Sequence, residues 1–400
     1  MMRVYLDNAS TTQIDPRVLK EIVFHLKNTF GNAGSIHKEG VEAKKVLAES
    51  RKKIAEFFGA HSDEIVFTSG GTESNNLAIL GIFKSRFGLS ADYLDSKPHV
   101  ITTEIEHSST LECFKQLEKE GVDVTYLSVN EEGIVNLSEF KKALRPETVL
   151  VSIQYANNEI GVVQPIREIS KALRHFRNNS SAKSLQLKVV ENRGAIFHTD
   201  ASQTPAYLDC NVERLGVDLL TIDGQKIYGP KGVGALYVKR GTLISPIILG
   251  GGQEGSLRSG TENVPMIAGL AKAFEICGNE REKESKRLTK LRNYFYSELF
   301  KMTGTKMILN GDLKNRLPNN LNFSIKGVDT EFLTLQLDAK GFAVSTKSAC
   351  LDSGAGSYVI RALGGGSWRS KNSLRITFGR WTTMADCSKL ILVLKKILKK

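Results

Sequence analysis

Lys226 stands in Asp223-Gly224-Gln225-Lys226-Ile227-Tyr228-Gly229-Pro230-Lys231-Gly232, a glycine-rich turn directly after a strand-like run. In an open α/β sheet that turn lies at the carboxyl edge of the strands, where ligands bind. Alone it says little, because most lysines are solvated surface residues. Asp200 closes the apolar run Ala195-Ile196-Phe197-His198-Thr199 and belongs to the same edge. Taken singly, such an acid is as often a helix cap as a functional group. Together, the lysine and the acid meet the needs of pyridoxal 5'-phosphate. That cofactor takes a lysine as a Schiff base and an acid to keep its pyridine nitrogen protonated, which makes the ring an electron sink. Phe67-Thr68-Ser69-Gly70-Gly71-Thr72-Glu73-Ser74-Asn75 reads as strand, glycine turn and helix. Backbone N–H groups at such a helix start, with the Thr72 hydroxyl, cradle phosphate. The stretch is neither a P-loop nor a dinucleotide fingerprint, and the glycines of 229–234 fail the second test because they follow the lysine.

Cys350 is the candidate nucleophile. Its surroundings, Val344 to Ser357, are small and polar with glycines on the far side, so the stretch reads as an exposed loop. An isolated cysteine is usually an inert thiol, but a structural one prefers an apolar strand or helix face. Lys347 beside it would favour the thiolate, the nucleophilic form. Cys113, Cys210, Cys277 and Cys387 lie among apolar neighbours or on helix patterns and read as structural. The odd, dispersed set lacks the close pairs of zinc ribbons and fits a reducing compartment. Seven histidines show neither HExxH nor an i, i+4 pair, so a helical zinc site is unsupported.

The elements that must position these residues alternate along the chain. Short β-branched runs at 65–68, 100–103, 123–127, 149–154, 195–199, 219–222 and 234–238 predict strands. Helical spacing at 41–58, 74–85, 108–119, 137–144 and 166–177 predicts helices between them. Such alternation argues for a mostly parallel sheet covered on both faces. After about residue 262 the texture changes to a long helix over 263–300. Strands at 320–325 and 373–378 and helices at 330–339 and 357–363 then predict a smaller α+β domain. The final Lys-rich apolar stretch reads as a closing helix, and 87–97 and 178–193 read as surface insertions.

Composition sets the outer limits. Four hundred residues, 41% hydrophobic and 24% charged, describe an ordinary globular chain of two to three domains. No run is long and apolar enough for a membrane span, and the start lacks the apolar core of a secretory signal, so the cytoplasm is the expected location. The net charge of +12 is spread along the chain with no nucleic-acid module, so neither nucleic acid nor membrane is an expected partner.

In order and spacing, the set resembles the cysteine desulfurases, fold-type I pyridoxal-phosphate enzymes of the class V aminotransferase group. The matching stretches are Tyr5–Thr12, Thr68–Ser74, Glu106-His107, Asn157–Gly161, Asp200–Gln203, Lys226–Gly232, Arg258–Thr261, Ser348-Ala349-Cys350, Arg375 and Gly379-Arg380. The resemblance covers nearly the whole chain. It implies a large domain (13–262) with a mixed, mostly parallel seven-stranded sheet, and a small α+β domain (1–12 and 263–400) carrying the Cys350 loop. It implies that Lys226 bears the cofactor and moves the substrate Cα proton, and that Asp200 pairs with the pyridine nitrogen. His107 would stack on the ring and shuttle protons, Asn157 and Gln203 would bond ring substituents, and Gly71 and Thr72 would bind phosphate. Thr261 would reach that phosphate from the second subunit of a homodimer. Arg375, with Asn157, would bind the substrate carboxylate, a planar group suited to a bidentate arginine. The implied reaction removes sulfur from L-cysteine, leaving L-alanine and a persulfide on Cys350 for an iron–sulfur scaffold or other acceptor. No resident metal is expected, the one candidate ligand being Cys350 as a transient ligand of an iron–sulfur cluster.

The chain also departs from the family pattern. Asp223-Gly224-Gln225 replaces the usual Ser-Gly-His before the lysine, and Thr346-Lys347 replaces Ser-Gly before Ser-Ala-Cys. Gln225 can still donate an N–H to phosphate. Asp223 sets a carboxylate near a dianion, which costs energy unless it turns away or binds a cation. The rival readings are a selenocysteine lyase, a class V aminotransferase, which needs no loop thiol, and a non-catalytic scaffold of a sulfur-transfer complex.

Overall fold

Mostly apolar runs rich in β-branched residues give strands buried on both faces, and the strand–helix alternation makes them run mostly parallel. In the computed structural model, which describes residues 3–88, 97–179, 194–346 and 356–398, the first strand is β1 (Val4–Tyr5). The central sheet is built from β2 (Ile65–Thr68), β3 (His99–Thr103), β4 (Asp123–Leu127), β5 (Thr148–Ser152), β6 (Ile196–Asp200), β7 (Leu219–Asp223) and β8 (Gly234–Val238). Their order is β2-β8-β7-β6-β5-β3-β4. Only β8 is antiparallel to its neighbours, as when Leu220 pairs with Tyr237. β3, β5 and β7 are buried at every position.

Helices cover both faces: α1 (Pro16–Asn28), α2 (Lys38–Phe58), α3 (Gly71–Phe87), α4 (Ser108–Lys119), α5 (Leu137–Ala143), α6 (Ile166–Asn179) and α7 (Val212–Leu215). Local chemistry sets their ends. Asp15 caps α1 by accepting from the Arg17 N–H, with Pro16 fitting the first turn. Gly59 closes α2 at φ +64°, a left-handed position that a side chain disfavours. α1 was not anticipated from the sequence, because Leu19, Phe24 and Leu26 are exposed on it and blur its apolar stripe.

The long helix α8 (Val264–Thr303) packs its apolar first half on α1 and α2, where Phe274 meets Phe57 and Phe58 with ring centroids 4.9 and 5.2 Å away. Beyond it lies an antiparallel sheet of β9 (Met307–Leu309), β10 (Asn320–Ile325) and, after β11 (Phe342–Ala343), β12 (Ser373–Thr377), in the order β12-β10-β9. The helices here are α9 (Thr330–Asp338), α10 (Tyr358–Ala362), α11 (Ser367–Lys371) and α12 (Met384–Leu398). β1 pairs parallel with β11, and Asp7 bridges to Thr377, so the start of the chain is built into the C-terminal part. Among the described residues no helix is long and apolar enough to cross a membrane. The two anticipated insertions fall largely outside the described residues.

Candidate active site

The carboxyl ends of β6 and β7, the starts of α3 and α4 and the segment after β1 enclose a cavity of about 280 Å³. Lys226 closes a short 3-10 turn that follows β7, and its Nζ donates to the carbonyl oxygens of Ala9 (3.1 Å) and Ser10 (2.5 Å). Desolvation in the cavity wall lowers its pKa, with Arg375 adding to the effect and the carboxylates of Asp223, Asp200 and Asp7 opposing it. An amine so perturbed is closer to its nucleophilic free base.

Asp200 ends β6 and lies across the same cavity. Its carboxylate accepts from Asn75 Nδ2 at 2.8 Å and from the Ser202 N–H at 2.9 Å. Asn75 also donates to Ser109 Oγ at 2.9 Å, while its own Oδ1 is buried without a partner among the described residues. His107 caps α4 and lies 2.8 Å, through Nδ1, from Ser109 Oγ. Desolvation lowers its pKa, which keeps the ring neutral. Glu106, just beneath, is fully buried, and burial pushes its carboxyl up to about 8 despite bonds from Thr103 and the Gln154 N–H. β5 ends at Ser152, short of the anticipated 154, where the Gln154 N–H turns to Glu106.

α3 begins without any side-chain cap. A Cβ on Gly71 would stand 3.0 Å from Ser202 Oγ and 3.3 Å from Asp223 Oδ2, so the close approach favours glycine. The free N–H groups of this first turn form an anion site. A half-buried amine of lowered basicity, a framed carboxylate and an uncapped helix start therefore line one cavity, and this donor set fits pyridoxal phosphate.

The other anticipated residues are placed as follows. Thr72 and Gln203 line the cavity, Gln203 donating to the Ala9 carbonyl at 3.0 Å. Gln225 also lines it, but its amide donates to Asp223 Oδ2 at 3.0 Å. Asn157 does not line it: its Oδ1 accepts from the Glu159 and Ile160 N–H groups and its Nδ2 donates to the Ile105 carbonyl, closing the turn at Gly161, so Asn158 lines the cavity instead. Thr261 is exposed on the chain surface. Arg375 is buried in the wall, where Nη2 donates to Asp7 Oδ1 (2.8 Å) and Ser10 Oγ (2.7 Å) and Nη1 to the Asn158 carbonyl (2.9 Å). Cys350 and Lys347 lie outside the described residues. On one side of them Ser345 pairs with Arg375, and on the other Ser357 donates to Glu159 Oε2 at 2.5 Å. Cys113, Cys210, Cys277 and Cys387 are buried, and burial pushes each thiol up to about 12.

Ser10, Asn75, Ser109, Asn158, Ser202 and the Ala9 carbonyl were not singled out from the sequence as site groups. Tyr5–Thr12 stood out only as a matching stretch. Nothing local signals that Ala9 meets a lysine 217 positions away.

The family model for aminotransferase class-V matches residues 4–390. The chain is 46% identical over 398 residues to cysteine desulfurase IscS of Dictyoglomus turgidum, covering 99% of this chain and 95% of that protein. It is 39% identical over 399 residues to cysteine desulfurase IscS 1 of Archaeoglobus fulgidus, covering 99% and 97%. Among solved structures it is similar to a NifS-like protein, with TM-score 0.88 and 34% identity over 100% of both chains. It is also similar to SspA in complex with cysteine, with TM-score 0.77 and 30% identity over 95% of this chain and 99% of that one.

Proposed function

The chain belongs to the class-V aminotransferase family and, within it, to the cysteine desulfurases, and from that premise we propose how its own residues carry the reaction. The family is pyridoxal-phosphate dependent. Here Lys226 would hold the cofactor, Asp200 its pyridine N–H, Gly71 and Thr72 its phosphate, with Ser202 and Gln225 beside them, and neutral His107 its ring face. The bound cofactor supplies an electron sink for the Cα–H bond of the amino acid.

The substrate is L-cysteine. Arg375 binds its carboxylate, which orients the Cα–H bond toward Lys226. Lys226 takes the Cα proton and returns it, a role suited to an amine of lowered pKa. The Cys350 thiolate attacks the substrate sulfur, so that an S–S bond forms as the C–S bond breaks. L-alanine leaves, its former Cβ–S carbon reduced, and the enzyme keeps the sulfur as a persulfide. His107 would move a proton at the sulfur, and Gln203 would bond a ring substituent. The persulfide passes to an iron–sulfur scaffold or another acceptor.

The active form is a homodimer to which Thr261 brings a phosphate contact from the second subunit. The exposed apolar side chains Phe24, Phe30, Ile36 and Leu249 support such an interface. The four described cysteines are buried with no disulfide between them, which supports a cytoplasmic location.

One observation carries the reading: Lys226 and Asp200 line the same cavity as the uncapped start of α3. The test is the visible spectrum of the purified protein with and without L-cysteine, with alanine and thiol-releasable sulfide assayed. A coloured protein that yields both products, with both lost in Cys350→Ala, is the expected result. Alanine formed independently of Cys350 would point to a different lyase. A protein that cannot be loaded with pyridoxal phosphate would favour a non-catalytic scaffold.

A further inference from the structure

Asp223 ends β7 and accepts from the Gln225 N–H at 3.2 Å and from Gln225 Nε2 at 3.0 Å. These two bonds pin the carboxylate against the first turn of α3. Its Oδ1 lies 3.8 Å from where a Cβ on Gly70 would sit, and its Oδ2 3.3 Å from that on Gly71. A carboxylate therefore stands at the edge of the site that receives the cofactor phosphate.

Among the described residues, little positive charge is available to offset it. Arg375 is committed to Asp7 at 2.8 Å, and Arg258 to Glu73 at 3.0 Å on α3 itself. Lys226 is the attachment point. The helix start contributes only about half a positive charge. Of the groups that face Asp223, Lys226 and His107 both feel its charge, and Asp200 lines the same cavity. A phosphate monoester carries about 1.5 to 2 negative charges near neutrality, with a second pKa of about 6. Two anionic groups that share a site force a proton onto one of them.

We propose that the cup takes the cofactor phosphate singly protonated, the proton shared with Asp223, so that this residue makes cofactor affinity pH-dependent. The inference rests on the assignment of this cavity to pyridoxal phosphate. Binding then takes up one proton at pH values above the phosphate's second pKa, and Kd loosens about tenfold per pH unit. Removing the carboxylate also changes the basicity of Lys226, and pyridoxal, which lacks the phosphate, reports that effect separately.

The experiment is calorimetric titration of the apo full-length protein with pyridoxal phosphate and with pyridoxal, from about pH 6 to about pH 8. Buffers of different ionisation enthalpy read the proton uptake directly. Asp223→Asn preserves shape, and Asp223→Ser replaces the carboxylate with a shorter, neutral hydroxyl. If the serine variant does not fold, the asparagine variant carries the test. The expected result is uptake of about one proton by the wild type at about pH 8 and none beyond the pyridoxal value in the variants. The wild-type to variant Kd ratio for pyridoxal phosphate should then grow about tenfold per pH unit while that for pyridoxal stays flat. Equal proton uptake and equal slopes in all three proteins would overturn the inference and leave the cofactor assignment standing. Failure of every protein to bind either compound would overturn the cofactor assignment, and the inference with it.

Discussion

Arg375→Lys tests whether the buried guanidinium in the cavity wall reads a carboxylate. A guanidinium has five N–H donors. Three are given to Asp7, Ser10 and the Asn158 carbonyl, and the buried Nε–H has no partner among the described residues. Lysine keeps the charge beside Asp7 but loses the planar fork and the Nε–H. One charge-assisted hydrogen bond is worth about 1.5–3 kcal/mol. Its loss weakens binding of a carboxylate-bearing ligand by roughly 10- to 150-fold. The assay is the spectral change of the bound cofactor on titration with L-alanine, with ethylamine as the carboxylate-free control. L-Alanine should bind roughly 10- to 150-fold more weakly to the variant, and ethylamine should change by less than about twofold. An equal loss for both ligands would mean that Arg375 acts only through the shape of the wall. No loss for L-alanine would remove it from substrate binding.

Two further outcomes follow from buried charges. Burial raises the Glu106 carboxyl from 4.5 to about 8, so the folded protein holds a proton there that the unfolded chain releases. Its contribution to stability is full below about pH 4.5 and is lost as pH rises toward about 8. Glu106→Gln should therefore flatten the fall in Tm across this window, and an unchanged slope would contradict the assignment. Asp15 caps α1 and pairs with Arg17 and Arg380, and these hydrogen bonds lower its pKa from 3.8 to about 2. Its contribution is present above about pH 3.8 and is lost as pH falls toward 2. Asp15→Ala strips the cap and leaves the mostly buried Arg380 with Glu280, at 3.4 Å, as its remaining carboxylate among the described residues, which should cost about 1–3 kcal/mol near neutral pH. Denaturant unfolding reads it, and a cost under about 1 kcal/mol, the value of a cap alone, would show the ion pair to be idle.

Local pattern determined much of this molecule. Runs such as Leu219-Leu220-Thr221-Ile222 are apolar without alternation, so they form strands with both faces covered. Glycine at 59 and at 70–71 marks where helices end and begin, because the backbone there must bend left-handed or approach a neighbour closely. Lys226 and Asp200 were legible as one site because both follow strands of a parallel sheet, whose carboxyl ends share an edge. Tertiary structure alone decided what those side chains meet. Lys226 rests on carbonyl oxygens of Ala9 and Ser10, and Arg375 is bonded to Asp7, through contacts spanning more than half the chain. Asn157 and Asn158 are alike in sequence, yet a turn consumes the first amide and leaves the second on the cavity wall. Asp223 could have turned to solvent, but two bonds from Gln225 hold it against α3. Periodicity and turn chemistry act over a few residues and so set the elements. The partners of a polar group depend on which distant segments packing brings within hydrogen-bond reach, and no local pattern carries that distance.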